Sequence, residues 1–268
     1  MQDESKRFSG FYDALRAWPD LNARVGGGDP EEVGRLSLAT LTQCGLPLDR
    51  PVVVCDYGCG VGRVTAAVAG AIWKGSRLVG VDIVPEFVDF CARHLHDKDV
   101  GLQFMLLDAQ NEHYPTATKS SAEGLPRHTL QAVAEALQNS VDFLFSVSVF
   151  THLTPAMADD TFKCISAALK RGGTAAISCF LYDTEVEKCR HAGRIYSAFC
   201  LDGGYWAGPA FFGSRDDPLA FVAYRPEGLL GLAVSHGLSL RQYVAGGWRG
   251  TGITTCSLQD YLVFEKTH

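Results

Sequence analysis

Residues 51–62, Pro-Val-Val-Val-Cys-Asp-Tyr-Gly-Cys-Gly-Val-Gly, constrain the chain more than any other stretch. Val52 to Cys55 are apolar without polar alternation, which suits a strand covered on both faces, and so a parallel sheet clothed by helices. Asp56 ends that strand. Gly58, Gly60 and Gly62 let the backbone turn tightly and approach a ligand where a Cβ would clash. A helix then begins at Arg63, with Val64, Val68, Ala71 and Ile72 on one face. Its free N–H groups and positive dipole end favour an anionic group at the loop, a carboxylate or a phosphate.

Two nucleotide-binding readings compete for this segment. The dinucleotide fingerprint, Gly-x-Gly-x-x-Gly/Ala, expects an acid about 20 residues on for a ribose hydroxyl, and Asp82 meets that spacing. Counted from Gly58 and Gly60, however, its third small residue falls at position 63, where this chain has Arg. A pyrophosphate loop, and with it a nicotinamide oxidoreductase, is disfavoured. The segment resembles motif I of the class I S-adenosylmethionine (SAM) methyltransferases: an acid, x, Gly-x-Gly-x-Gly. The resemblance implies an α/β, Rossmann-like fold with SAM as cofactor. It also implies a seven-stranded, mostly parallel sheet of order 3-2-1-4-5-7-6, closed by an antiparallel hairpin, with helices on both faces. Ligands in such a sheet collect outside the carboxyl ends, where the strand order reverses.

The rest of the chain follows in motif order. Arg77 to Asp82 and Leu102 to Asp108 read as strands ending in acids, with a helix between them opened by Pro85. Val141 to Phe150 is the fourth strand. Its tail, Ser146-Val-Ser-Val-Phe-Thr-His-Leu-Thr-Pro155, is similar to the segment after strand 4 of many small-molecule methyltransferases. Thr154 and Pro155 open a helix that Gly172-Gly173 stops, and Thr174 to Leu181 forms the fifth strand. A helix near Pro226–Gly237, a strand near Leu238–Val244, a glycine-rich turn and a strand near Ser257–Phe264 predict the closing hairpin.

Bulk properties exclude several classes. With 268 residues, 47% hydrophobic and 20% charged, the chain can bury one large α/β core. A formal charge of −6, with no basic run interleaved with aromatics, argues against nucleic acid. No apolar stretch reaches the about 18 residues that span a bilayer, so no membrane partner is expected, and a reducing, cytoplasmic setting suits nine cysteines without a Cys-x-x-Cys pair. Cys189-Arg-His191 and His94-Leu-His96 lack the companions that a metal needs, so no metal is expected. The oligomeric state is not readable.

Two regions lie outside the common core. Residues 1–30, with Phe8, Phe11, Tyr12, Trp18 and a Gly26-Gly-Gly hinge, read as an amino-terminal lid on a SAM-binding domain of residues 31–268. Residues 182–225, with Tyr205, Trp206, Phe211 and Phe212, read as a substrate-covering insertion or as a small auxiliary sheet packed by those aromatics.

The resemblance assigns cofactor contacts to Asp56, Gly58, Cys59, Gly60, Gly62, Arg63, Asp82, Ile83, Asp108, Ala109, Ser146, Val147 and Phe150. Asp56 favours the cofactor's cationic groups or braces the loop. Arg63 reaches the cofactor carboxylate or only braces. Asp82 accepts the ribose hydroxyls, the alternative being a helix cap. Asp108 receives the adenine amino group or forms a turn. His152 and Asp260 are the candidate proton acceptors, His152 having as its alternative the fixing of its loop. Tyr12, Tyr205, Trp206 and Trp248 are the candidate acceptor contacts, Trp248 with edge-of-sheet packing as its alternative. The function expected is methyl transfer to an O or N atom of a small-molecule acceptor. A catalytically silent SAM-binding protein is the rival from another class. An aminopropyl transferase is a rival on the same fold, although no Asp-Asp pair follows strand 4.

Overall fold

The computed structural model describes residues 7–109, 111–113, 126–196, 201, 203–252, 255 and 257–267. Helices α1 (Ser9–Arg16), α2 (Pro19–Ala23) and α3 (Pro30–Gln43) precede β1 (Val53–Tyr57). Strands and helices then alternate through α4 (Arg63–Ala71), β2 (Arg77–Asp82), α5 (Pro85–His94) and β3 (Gly101–Leu107). A two-residue β4 (Arg127–His128), α6 (Leu130–Ala136), β5 (Val141–Ser146), α7 (Pro155–Ala168) and β6 (Leu169–Cys179) complete the parallel half. After α8 (Thr184–His191) come the short β7 (Tyr205–Ala207), β8 (Ala210–Phe212) and β9 (Val222–Tyr224), then α9 (Pro226–Ser235), β10 (Leu238–Val244) and β11 (Asp260–Lys266).

The main sheet runs β10-β11-β6-β5-β1-β2-β3-β4, with β11 antiparallel to both neighbours and the other pairings parallel. Its first seven strands reproduce the expected 3-2-1-4-5-7-6 order. Beyond that order, β4 adds an edge next to β3, and β7-β8-β9 form a separate antiparallel sheet. The runs without polar alternation became central strands because both faces are covered. On one face Val133, Phe162, Ile165 and Leu229 of α6, α7 and α9 pack on the sheet; on the other, Leu41, Val68 and Phe87 of α3, α4 and α5 do so. Start signals work locally as well: the side chains of Asp29 and Thr154 accept N–H bonds from Glu32 and Met157 in the first turns of α3 and α7.

Two expectations concern the periphery. The amino-terminal segment is not a separate cover, because Phe11, Tyr12 and Leu15 of α1 are buried in the second core cluster. Apolar spacing on a short helix reads the same for a lid and for a core layer, and here the core takes it. Within residues 182–225, β7, β8 and β9 form the auxiliary sheet, whose aromatics pack on one another and on Tyr182: Tyr205 stacks on Phe212 at 5.4 Å, and Trp206 meets Phe211 and Tyr182 edge-on. Among the described residues no helix is long and apolar enough to cross a membrane.

Since Leu15 is fully buried, Leu15→Ala should lower the unfolding free energy by about 2–5 kcal/mol, read from urea denaturation. A loss below about 1 kcal/mol would return α1 to the role of a dispensable cover.

Candidate active site

The glycine loop folds back onto the end of β2. The N–H groups of Gly58 and Cys59 both donate to the Val81 carbonyl, at 2.7 and 3.0 Å. Asp82 completes the fastening: one carboxylate oxygen accepts Gly60 N–H at 2.7 Å and the other accepts Val84 N–H at 2.9 Å. The glycines answer different neighbours. Gly58 has φ +83°, and a Cβ there would lie 2.1 Å from Val149 Cγ2, so the turn after β5 can seat on the loop only where no side chain stands. Gly62, also at φ +83°, starts α4, and a Cβ there would meet Cys91 Sγ at 2.9 Å and the Phe11 ring at 3.2 Å. Gly62 serves helix packing rather than the cavity.

A cavity of about 610 Å³ opens at this loop and crosses the switch point of the sheet. Of the sequence candidates, Asp56, Gly58, Cys59, Gly60, Arg63, Asp82, Ile83, Ala109, Val147 and His152 stand in its wall. Burial pushes Asp56 up to about 7, against the stabilising hydrogen bond that Thr65 Oγ1 donates to it at 2.6 Å. Burial likewise raises Asp82, opposed by the N–H groups of Val84 and Gly60. The Arg63 guanidinium donates to the carbonyls of Val25 and Gly27 and to Asn22 Oδ1, which draws Val25 to Gly27 into the wall. Bracing is its visible role.

Several expected site residues lie outside the cavity wall. Asp108 is largely exposed and pairs with Arg127 of β4 at 3.5 Å. Ser146 and Phe150 are fully buried in the sheet and under α7, where Phe150 packs on Phe162; the turn between them presents Val147, Ser148 and Val149 to the cavity instead. Tyr12 sits behind the loop, donating its hydroxyl to the Arg63 carbonyl at 3.1 Å. Tyr205 and Trp206 belong to the auxiliary sheet. Asp260 begins β11 at the right end of the sheet, but its side chain points into the protein. It accepts Leu181 N–H and Gly246 N–H, both at 2.9 Å, Trp248 Nε1–H at 2.7 Å and the Tyr243 hydroxyl at 2.9 Å, with Arg249 3.7 Å away. Asp260 and Trp248 are therefore an internal brace, not a base and an acceptor contact.

His152 stands on the side of the cavity toward β3. Its backbone carbonyl accepts from Asn111 Nδ2 at 2.9 Å, its ring stacks on His113 at 4.7 Å, and Nδ1 donates to the Leu219 carbonyl at 2.7 Å. Burial pushes it down to about 4, so the ring is neutral near pH 7 and Nε2 is the acceptor nitrogen. Reading the sequence missed Ser37 and Thr40 of α3 and Asn111, all in the wall. The stripe Val33, Leu36, Ser37, Thr40, spaced three and four apart, was the available signal. Among the described residues no group of three or more His, Cys, Asp or Glu could hold a metal ion.

Comparison with known proteins agrees with this architecture. Residues 55–175 match a family model described as a methyltransferase domain. A protein from Pyrococcus horikoshii superposes with a TM-score of 0.54 at 15% identity, covering 96% of this chain and 100% of its own. The Synechocystis magnesium protoporphyrin IX methyltransferase with bound S-adenosylhomocysteine (SAH) gives 0.52 at 15% identity, covering 98% and 100%. An S-adenosylmethionine-dependent methyltransferase from Mesorhizobium loti gives 0.51 at 13%, covering 87% and 99%. At these identities the likeness is one of fold.

Removing the carboxylate of Asp260 would leave Arg249 and several N–H groups without their buried acceptor. Asp260→Ala should cost about 3–5 kcal/mol in thermal or denaturant unfolding, while the SAH affinity of the folded fraction stays unchanged. A variant as stable as the parent but inactive would make Asp260 a site residue after all.

Proposed function

We propose that this chain, whose residues 55–175 match a methyltransferase domain, transfers a methyl group from SAM to an oxygen or nitrogen of a small-molecule acceptor. The observation that carries this reading is the cavity itself. It runs without a break from the glycine loop and Asp82 to Gln259 and Tyr261 on the far side of β5. One half suits the cofactor and the other is left for the acceptor.

The residues present fit SAM. Gly58 and Gly60 present bare backbone in the cavity wall, and Gly60 and Val84 N–H groups hold the Asp82 carboxylate so that the remaining lone pairs of its oxygens suit two ribose hydroxyls. Ile83, Ala109 and Leu130 offer apolar walls for adenine, and buried Asp56 offers an anion for the cofactor's cationic end. When bound, SAM supplies an electrophilic methyl carbon, to which the acceptor lone pair bonds as the carbon–sulfur bond breaks. The protein's work is then alignment and exclusion of water. Proton loss from the acceptor goes to solvent, since Asp260 is sealed and burial, which pushes His152 down to about 4, makes its ring a weak base. Val147, Ser148 and Val149 follow β5 where an aminopropyl transferase would carry paired acids.

Calorimetry should show SAM or SAH binding and no comparable NAD binding, and Asp82→Ala should weaken SAM by about 1.5–3 kcal/mol. NAD binding without SAM binding would overturn the reading, and SAM binding with no methyl transfer to any of a broad acceptor panel would favour the silent binder.

His152→Gln should keep turnover within about threefold at saturating SAM, where loss of a general base would cost roughly a hundredfold or more. The same variant has a stability signature. Folded His152 is held neutral down to about pH 4, while the unfolded chain takes the proton near 6.5, so stability present above pH 6.5 is lost as pH falls toward 4. His152→Gln should flatten that acid-side loss, and an unchanged stability profile would show His152 to be accessible and ordinary.

A further inference from the structure

Beyond β5, on the side away from the glycine loop and Asp82, three polar side chains close a ring. Ser148 N–H donates to Ser178 Oγ at 2.7 Å, Ser178 Oγ–H donates to Gln259 Oε1 at 2.5 Å, and Gln259 Nε2–H donates to Ser148 Oγ at 2.8 Å. Ser178 lies within β6 and is fully buried, so its hydroxyl hydrogen needs an acceptor, and this requirement sets which way the Gln259 amide faces. Ser148 is held at φ +60°, a left-handed conformation uncommon outside glycine, and the Val149 that follows it seats on Gly58. Ser148 and Gln259 both stand in the cavity wall. The ring uses neither the hydroxyl hydrogen of Ser148 nor the second amide hydrogen of Gln259, so both remain to be donated.

Charge is the second observation. On the wall that faces these donors, the described residues Ser37 and Thr40 of α3, Ser148, Leu258, Gln259 and Tyr261 are all uncharged at neutral pH. Of the charged and titrating wall residues, Asp56, Asp82, Arg63 and His152 belong to the loop, to the end of β2 and to the β3 side, and Asp160 belongs to α7. An acceptor carrying a full charge would lose its hydration here with no partner to offset the cost.

Resting on the methyltransferase reading above, we propose that Ser148 and Gln259 form a two-donor positioning site that holds a lone-pair oxygen, such as a carbonyl, of an uncharged acceptor beside the methyl group to be transferred. The strained turn is then functional: it places the Ser148 hydroxyl between the cofactor loop and the Gln259 amide. The nucleophilic atom itself is not hydrogen-bonded by the pair, since a donor on its attacking lone pair would blunt it.

The test uses the whole chain saturated with SAH and, as probes, benzamide, benzoate, benzylammonium and toluene, followed by ligand-observed NMR titration. Calorimetric SAH binding is measured first on every variant, and its absence in the parent would sink the methyltransferase reading rather than this inference. Benzamide should bind more tightly than the other three. Ser148→Gly and Gln259→Met should each weaken benzamide by about two- to tenfold, the worth of one hydrogen bond, and leave toluene and SAH unchanged. Ser148→Gly relieves the left-handed strain, so its melting temperature should hold or rise while benzamide binding falls, a divergence that a purely structural role would not produce. Benzoate or benzylammonium binding as well as benzamide, benzamide indifferent to both substitutions, or no probe binding to the SAH-loaded protein would each overturn the proposal.

Discussion

The carboxylate of Asp82 is the fastening on which the site depends. Buried at the end of β2, it accepts the N–H of Gly60 from one βα unit and that of Val84 from the next. The glycine loop would otherwise be a stretch of residues able to take many conformations. With Gly58 and Cys59 also bound to the Val81 carbonyl, the loop becomes a fixed floor. Its openness is what lets Val149, from the strand on the other side of β1, pack onto Gly58. Two βα units and the turn after β5 are thereby locked into one rim, and the cavity is the space that this rim encloses.

That rim divides the chemistry. On the β2 and β3 side stand carboxylates, a bracing arginine and apolar walls, a set suited to a charged cofactor with a flat base. On the β6 and β11 side the wall is neutral, with hydroxyls and an amide. The internal brace around Asp260 sits just behind the second half, tying the start of β11 to Trp248, Tyr243 and the end of β6. It holds Gln259 in place through the backbone. A residue can thus matter to the site without facing it.

The features easiest to foresee from sequence were those written in local chemistry. Unalternating Val and Leu runs, acids at strand ends, Pro and Thr at helix starts and the glycine spacing sufficed for the elements, since each depends on neighbours only a few residues away, whereas the strand order followed from the family resemblance that these motifs carry. Side-chain direction was harder. Asp260 was placed at the correct end of the sheet, yet whether a strand's first side chain faces the cavity or the core depends on the turn before it, where Gly246 and Trp248 fold inward. Asp108 differs for the same kind of reason, since its side chain is turned to the surface, where it pairs with Arg127. The α1 aromatics were indistinguishable from a cover, because burial against α4 and α5 is a long-range fact. The α3 stripe was visible as a pattern but had no partner until the helix was seen lying along the cavity.

The most direct test is a crystal structure of this chain with SAH. Adenine should lie against Ile83 and Ala109, the ribose hydroxyls on Asp82 and the amino-acid end over Gly58 and Gly60. The thioether sulfur should face the Val147–Val149 turn, leaving the space in front of Ser148 and Gln259 open. Adenine on the β11 side of β5, or a sulfur turned away from Ser148, would contradict the division of the cavity on which the account rests.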